Sequence, residues 1–358
     1  SPAVNGTSAG FPTIDGKSEH RVIRVAVPDS QQTGVVSLTH LEIRRGNVEP
    51  GFVGGNGGGS PYLGGGVLIH NTNKTFIGNC IIRQNMIGSG RITAESGSYG
   101  LGGGLCASHS SAYISDNFIT DNLSGDRGGG AAIFGYGWPV FARNKIHNNR
   151  ASSFDGRPDG GGVAAEVTYF TTASSVWDTI TDPVDTENPT LVRRFWAEES
   201  VERAKENIVF IENEISDNFA LDDGGGLYLS VMSNALLKNN IIKNNWSTND
   251  GGGMRATMGS DVLCIGDKIH NNRTNPSQGK DLSSGGGGFS IRNISFELRD
   301  VHIHRNQAHG WAGGGVYCRT SAPGNLQINL LAFTIPISFT SILRYVFDVN
   351  EYEWNIRG

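Results

Sequence analysis

The sequence contains little proline, cysteine and charge for its length. Its 358 residues include 12 prolines, 4 cysteines and 18% charged residues. The cysteines lie far apart, without the C-x-x-C spacing of a metal or redox motif and without a dense framework, so we expect buried thiols. They are Cys80, Cys106, Cys264 and Cys318. A formal net charge of -5 gives no electrostatic basis for binding nucleic acid.

Long hydrophobic runs are scarce as well. The run from Leu330 to Phe347 is about long enough to test as a membrane span. It contains Pro336, Arg344 and several hydroxyl side chains, which favour a packing or capping segment over a span. The first ten residues show no signal peptide, which fits either a cytosolic chain or a processed or truncated start, and we favour the second.

Glycine is abundant, with 51 residues, and it is clustered. The clusters lack the three-residue period of collagen. Eight glycine triplets directly precede a short strand-like run, and the shortest interval between their starts is about 26 residues. The first glycines are Gly64, Gly102, Gly128, Gly160, Gly224, Gly251, Gly286 and Gly313. None of these runs has the Lys-Ser/Thr of a phosphate-binding loop, so we interpret them as repeated turns.

A second motif recurs in phase with the glycines. Seven hexapeptides such as NFITDN and NIIKNN place isoleucine third and asparagine sixth. The asparagines are Asn85, Asn122, Asn149, Asn218, Asn245, Asn272 and Asn306. Stacked amides hydrogen-bond from one repeat to the next, so we expect a structural asparagine column.

Each repeat consists of short alternating runs separated by turn residues, which indicates three short strands. A coil of this size cannot bury its apolar face alone and must stack on its neighbours. The sequence therefore predicts an all-β, right-handed parallel β-helix of about 8 to 10 coils. We assign residues 1–63 to N-terminal coils, 64–318 to the glycine-rich coils and 319–358 to a C-terminal cap. One long interval predicts an insertion at 171–207, partly helical, that forms a lid or arm.

The segments TIDG, HRVI, VSLTHLEIRRGN, GGGVLI and FIGNCIIRQN resemble the pectate-lyase-like right-handed β-helix superfamily, in its glycine-rich bacterial extracellular or surface form. The resemblance covers roughly residues 11 to 318 and implies the fold. The superfamily includes polysaccharide lyases, glycoside hydrolases, epimerases and adhesins, so the resemblance does not select an activity. No catalytic motif of these enzymes aligns with the chain.

Aspartates precede three successive glycine triplets, as Asp159, Asp223 and Asp250, with Asp222 beside the middle one. In a regular stack they lie about 4.8 Å apart, so a shared proton, a Ca²⁺ ion or nearby arginines must offset their repulsion. We predict that Asp159, Asp223 and Asp250 bind Ca²⁺ or a sugar, and that Asp222 takes part in binding the sugar. The alternative is that aspartate before glycine is a good turn former.

The residues that alternate with the inward-facing ones after each triplet are expected to face solvent. In this outer strip, Arg255 or Arg292 would neutralise a uronate or assist proton abstraction, and Tyr228 would act as acid or base. Further candidates are Glu166 for catalysis and Tyr317 and Arg319 for substrate binding. An ordinary polar surface is the alternative for the whole strip.

These features favour a secreted or cell-surface protein that binds a polysaccharide or cell-surface glycan. The leading hypothesis is a polysaccharide lyase that acts on an acidic polymer by β-elimination, or a related glycosidase. The rival hypothesis is a non-catalytic adhesin-type repeat protein. Apart from Ca²⁺ we expect no cofactor.

Overall fold

The computed structural model describes residues 10–26, 35–48, 62–72, 75–88, 100–152 except 136, 158–166, 208–258 except 232, 262–275, 285–308 except 293 and 295, 313–319, 330–331 and 353–356. These residues form stacked coils with the strands of each coil in different sheets, which confirms the right-handed parallel β-helix. The predicted insertion at 171–207 lies outside the described residues. So does most of the 319–358 tail, whose role as a cap stays a prediction.

The first sheet follows the glycine turns. Its strands, in spatial order, are Ile23–Ala26, Val67–His70, Leu105–Ser108, Ala131–Phe134, Val163–Glu166, Leu227–Ser230, Met254–Thr257, Phe289–Arg292 and Val316–Arg319, and then Glu353–Ile356. Successive strands pair in parallel, except that Glu353–Ile356 pairs antiparallel with Val316–Arg319. The last strand of the tail therefore lies on the edge of this sheet.

The second sheet contains Val36–Thr39, Thr75–Gly78, Tyr113–Ser115, Val140–Ala142, Ile208–Ile211, Ala235–Lys238, Val262–Ile265, Phe296–Arg299 and Leu330–Leu331. The third contains Thr13–Asp15, Glu42–Arg44, Ile81–Arg83, Phe118–Thr120, Lys145–His147, Glu214–Ser216, Ile241–Lys243, Lys268–His270 and His302–His304. All strand pairs in both sheets are parallel and in register from coil to coil. Residues at one position of the repeat therefore form columns along the axis of the solenoid.

A fourth element of two residues per coil lies where the sequence predicted only a loop. Its members are Asn47–Val48, Met86–Ile87, Leu123–Ser124, Arg150–Ala151, Phe219–Ala220, Trp246–Ser247, Arg273–Thr274 and Gln307–Ala308, and Tyr62–Leu63 pairs separately with Gly100–Leu101. The prediction of three strands per coil is corrected to four in the described coils. From Met86–Ile87 to Gln307–Ala308 the second residue of the pair is the more buried one, as Ala220 and Ser247 show, so it points inward and the first points outward. In Asn47–Val48 the first residue is the more buried one.

In the interior of the solenoid, apolar side chains at one position of the repeat stack on similar side chains in the next coil. Isoleucines of the recurrent hexapeptide, such as Ile215, Ile242 and Ile269, are fully buried. Phe141 and Phe210 stack in adjacent coils with their ring centroids 5.3 Å apart. The four cysteines are free and buried, and burial raises the pKa of Cys106 to about 12. This confirms the expectation of unreactive packing thiols.

The triplet Gly224–Gly226 shows what the glycines do. Gly224 has φ +62°, in the left-handed region that side chains disfavour. A Cβ on Gly225 would lie 2.5 Å from the backbone of Trp246, where the coil closes on itself. A Cβ on Gly226 would lie 2.8 Å from Nδ2 of Asn245. The triplet therefore makes the turn and leaves room for the coil to close against the asparagine column.

The predicted asparagine column is confirmed. Oδ1 of Asn245 accepts hydrogen bonds from the backbone N–H and the amide of Asn218, each at 3.0 Å. The amide Nδ2 of Asn245 donates to the carbonyl of Ile215, at 2.9 Å. The same contacts recur from Asn85 to Asn306. Each amide thereby satisfies turn backbone that stacking removes from water.

A second amide column, which the sequence analysis missed, runs through the first position of the same hexapeptides. Its members are Asn117, Asn144, Asn213 and Asn240, and it ends at Asp267. Oδ1 of Asp267 accepts two hydrogen bonds from Asn240, at 2.7 and 2.9 Å. Burial raises the pKa of Asp267 to about 7, even though the hydrogen bonds from Asn240 lower it. The buried carboxyl group therefore retains its proton well above the pH at which an exposed aspartate loses it.

Replacing Asp267 with asparagine is expected to stabilise the protein, and more so at higher pH. The folded-state pKa of Asp267 is raised, so its unfavourable ionisation reduces stability as the pH rises from about 4 to about 7. Asp267→Asn removes this loss and supplies an amide donor, so we expect a gain of about 1–3 kcal/mol near pH 8. Urea unfolding near pH 8 and near pH 4.5 measures the difference. A gain of equal size at both pH values would contradict this explanation.

Among the described residues, no helix is long or apolar enough to cross a membrane.

Candidate functional site

The aspartates before the glycine triplets form a ladder along the axis. The Asp159 carboxylate accepts a hydrogen bond from the backbone N–H of Asp223, at 3.1 Å. The Asp223 carboxylate accepts one from the N–H of Asp250, at 3.0 Å, and Asp250 accepts one from Gly285, at 2.8 Å. The aspartates therefore do have the turn-forming role given as the alternative, because each one accepts a hydrogen bond from the turn of the next coil.

Two arginines neutralise this ladder. Arg255 contacts both neighbouring carboxylates, with Nη1 3.2 Å from Oδ1 of Asp223 and in an ion pair with Asp250. Arg127 occupies the equivalent pre-glycine position one coil before Asp159. Its Nε lies 3.5 Å from Oδ2 of Asp159, and its Nη1 pairs with Glu166. Of the three offsets expected for the repulsion between the aspartates, nearby arginines are therefore present in the structure.

A retained proton accompanies the arginines. Burial, followed by the charge of Asp223, raises the pKa of Asp159 well above its usual value. Burial and the charges of Asp222 and Asp250 raise the pKa of Asp223 to about 7, against the lowering effect of Arg255. Burial lowers the pKa of Arg255, but the carboxylates of Asp223 and Asp250 outweigh this and raise it above its usual value. The guanidinium therefore stays charged, while the buried carboxyls of Asp159 and Asp223 keep their protons to a higher pH than an exposed aspartate does.

The metal prediction is only partly reflected in the geometry. Ligand atoms of Asp159, Asp222 and Asp223 lie within 4.8 Å of one another, whereas Asp250 is outside that group. Carboxylate oxygens are suitable ligands for Ca²⁺. However, Arg127 and Arg255 already supply two positive charges beside these carboxylates. Ca²⁺ binding stays a prediction.

The expectation that the outer strip faces solvent is wrong for three of its members. Tyr228, Arg255 and Tyr317 are 5%, 6% and 3% exposed. Arg255 bends back towards the turn to reach Asp250, and Arg127 lies over the Tyr228 ring, 5.9 Å from its centroid. Alternation along a strand predicts the direction of a side chain, but it does not predict what covers it.

The remaining candidates do not converge on one point. Glu166 is half-buried in its ion pair with Arg127. Arg292 is exposed and lies three coils from Glu166 at the same strand position. Tyr317 lies two coils from Arg255. Arg319 occupies a strand end, and its side chain lies outside the description.

Arg255→Met is expected to lower the free energy of unfolding strongly, by about 3–5 kcal/mol, because it leaves buried Asp223 and half-buried Asp250 without their counter-charge. Arg292→Met is the matched control and should change stability by no more than about 0.5 kcal/mol, since Arg292 is exposed. Urea unfolding measures both variants. Adding Asp250→Asn to Arg255→Met should recover part of the loss. Similar effects of the two single substitutions would argue against a compensated ladder.

A column of cationic and aromatic side chains, which the sequence analysis missed, lies on the outward side of the two-residue strands. Arg150 lies over the Phe219 ring, with Cζ 4.8 Å from the centroid. The Phe219 and Trp246 rings are 4.8 Å apart at 60°. Arg273 lies over the Trp246 ring, at 4.7 Å. We call these four residues the aromatic column.

The aromatic column differs from the aspartate ladder in its accessibility. Both arginines are exposed, and both aromatic rings are partly exposed. In its two central coils only three residues separate the column from the ladder, as between Phe219 and Asp223. The sequence did contain a sign of the aromatic column: each of its four residues directly follows the last asparagine of a recurrent hexapeptide. Residue types vary at that position, so no identical repeat marked it.

A polar cluster in the first sheet is also absent from the sequence-based candidates. The Ser108 hydroxyl lies 3.2 Å from Nδ1 of His70 and 3.0 Å from Nδ1 of His109. Burial and the neighbouring His70 lower the pKa of His109. Ser108 is completely buried, so this arrangement does not present a nucleophile to a polymeric substrate.

Comparison with known proteins agrees with the fold. Residues 197–330 match the model of the family described as right handed beta helix region. No curated protein and no solved structure matched the chain. The family match and the parallel sheets together support a right-handed β-helix protein. This type of protein includes both carbohydrate-active enzymes and non-catalytic proteins, so the match does not select a function.

Proposed function

We propose that this protein is a non-catalytic, extracellular β-helix that binds an acidic polysaccharide along the aromatic column. The observation that carries the proposal is the continuous contact from Arg150 through Phe219 and Trp246 to Arg273, at one outward position of four successive coils. It is the adhesin-type alternative from the sequence. A secreted or cell-surface location follows from the proposed partner.

The chemistry of the column suits an acidic sugar chain. Aromatic faces supply apolar area for sugar rings at low entropic cost, because the side chains have few rotatable bonds. Arg150 and Arg273 stack on these rings, which positions the planar guanidinium groups while their edges remain available to carboxylates. The column therefore offers stacking in its centre and a cation at each end.

The geometry of the aspartate ladder favours binding over catalysis. Arg255, the leading catalytic candidate, is 6% exposed and engaged with Asp223 and Asp250. Burial and the charge of Asp159 raise the pKa of Tyr228 above its usual value, which opposes a role as a base. A general acid or base must lie within hydrogen-bonding reach of its substrate, and these groups are covered.

Trp246→Ala is expected to weaken polysaccharide binding by about tenfold or more, or ~1.4 kcal/mol, because it removes the centre of the stacking surface. Isothermal titration with polygalacturonate, alginate and hyaluronan measures the effect, with neutral dextran as a reference ligand. Phe118→Ala is the matched control, because Phe118 is also a partly exposed aromatic residue but lies on the third sheet. It should bind as the wild type does.

Arg150→Gln and Arg273→Gln separate stacking from charge. Each should weaken binding to the acidic polymers and reduce its dependence on salt, while Trp246 remains in place. The proposal fails if no acidic polysaccharide binds, or if Trp246→Ala and Phe118→Ala behave alike. Circular dichroism of each variant should match that of the wild type, because all of these side chains point outward.

A hydrolase or lyase is the second candidate, favoured by one observation: the pKa of Asp223 is raised to about 7 beside two other carboxyls. A carboxyl that keeps its proton near neutral pH can act as a general acid in glycoside cleavage. Reducing ends or unsaturated products released from the same polymers, with and without a chelator, would establish activity. Their appearance would overturn the non-catalytic proposal.

A further inference from the structure

The outer face of the third sheet changes its charge balance along the axis. In the first coils cations and carboxylates pair, as between Asp15 and Arg44 at 3.2 Å and between Glu42 and Arg83 at 2.6 Å. The pair between Glu214 and Lys243, at 2.7 Å, is the last one along this face in the described coils. Beyond it the face becomes basic.

We call this region the terminal basic face. Its members are Lys243, Lys268, His270, His302, His304 and Arg305. Lys268, His302, His304 and Arg305 are exposed. In the described part of the chain, no salt bridge joins any of these four to a carboxylate. The face therefore carries uncompensated positive charge at neutral pH and gains more when its histidines are protonated.

Two of the imidazoles stack directly. The His270 and His304 rings are parallel within 6°, with centroids 4.9 Å apart. Nδ1 of His270 faces Nδ2 of Asn271 at 3.1 Å, so neutral His270 accepts that hydrogen bond and carries its proton on Nε2. Burial, followed by the charges of His304, Lys243, Arg305 and Lys268, lowers the pKa of His270. An anion bound across the pair would offset this repulsion.

The charged groups around the pair are accounted for on each side. On the sheet they are Lys243, Lys268 and His302, and Arg305 lies at the adjoining corner. The carboxylates around the pair are at the margins or below. Glu214 is paired with Lys243, and exposed Asp217 lies at the corner beside Lys243. Asp300 is exposed two residues before the last strand, and Asp267 is buried beneath the sheet. None of them lies between the two imidazoles and solvent.

We infer that the terminal basic face binds a sulfated polysaccharide in a pH-dependent manner, through His270, His304, Lys268 and Arg305. The four side chains lie in two adjacent coils: His270 stacks on His304, Lys268 shares the strand of His270, and Arg305 directly follows His304. This concentration of cations suits an extended chain with closely spaced strong acid groups. The inference goes beyond the proposed function, because this face lies on the third sheet, beside Arg273 at one end of the aromatic column, and lacks the aromatic rings of that column.

Other occupants fit the face less well. The three histidines do not converge for a metal, because Asp159, Asp222 and Asp223 are the group of possible ligands that does so among the described residues. Anchoring in a membrane surface is favoured by apolar side chains beside the basic ones. Of the outward residues on these last three strands only Ile241 is apolar, and it is only partly exposed. Recognition by charge alone favours a densely charged polymer.

Titration calorimetry with dextran sulfate tests the inference, with unsulfated dextran as the reference. We expect binding about tenfold tighter near pH 5 than near pH 7.5 in moderate salt. The double variant His270→Gln/His304→Gln should bind equally at both pH values. Lys268→Gln should weaken binding at both. Lys145→Gln is the matched control, since it removes a cation from the same strand position three coils before Lys268, and it should have no effect.

Several results would overturn the inference. They are equal affinity of the wild type at the two pH values, unchanged pH dependence in the histidine double variant, and preferential binding to phosphatidylserine vesicles over dextran sulfate. Trp246→Ala separates this surface from the aromatic column. It should leave the acid-enhanced binding of dextran sulfate intact, so either surface can fail its test without the other.

Discussion

Stacking in register, at about 4.8 Å from coil to coil, is the constraint on which the rest of the structure depends. Any side chain at a given position meets its counterpart in the next coil, so each column must be chemically compatible with itself. Aliphatic columns meet this requirement by packing, and amides meet it by donating to one neighbour and accepting from the other. A column of like charges does not meet it alone. The aspartate ladder consequently requires Arg127, Arg255 and a retained proton.

The parts of the fold in which the same residue type recurs at one position of every repeat could be predicted from the sequence. Asparagine at the sixth position of seven hexapeptides predicted a column, and its hydrogen bonds are present. The parallel amide column escaped notice because Cys80 and Asp267 stand at its two ends, so the identity is broken there. The aromatic column escaped notice because its residue types differ from coil to coil.

The candidate site shows a different limit of sequence reasoning. The aspartates before the glycine turns and Arg255 do lie together, but Glu166, Arg292 and Tyr317 do not converge with them, and Arg255 was expected to be available to a substrate. Its guanidinium group instead forms ion pairs with Asp223 and Asp250. A sequence pattern predicts which face of a strand a residue lies on. Whether its side chain is accessible to a substrate depends on contacts with long side chains from neighbouring coils. Such reach is set by tertiary contacts that periodicity does not encode.

The asparagine column also makes the molecule modular in length. Asn218, Asn245 and Asn272 are each separated by 27 residues, and their contacts are interchangeable. Removing or duplicating one such unit would reproduce the same junction, so evolution can change the number of coils without breaking a hydrogen bond in this column. Surfaces carried by different coils would then move apart or together in fixed increments. The distance between two binding surfaces on different coils can therefore change only in steps of one whole coil.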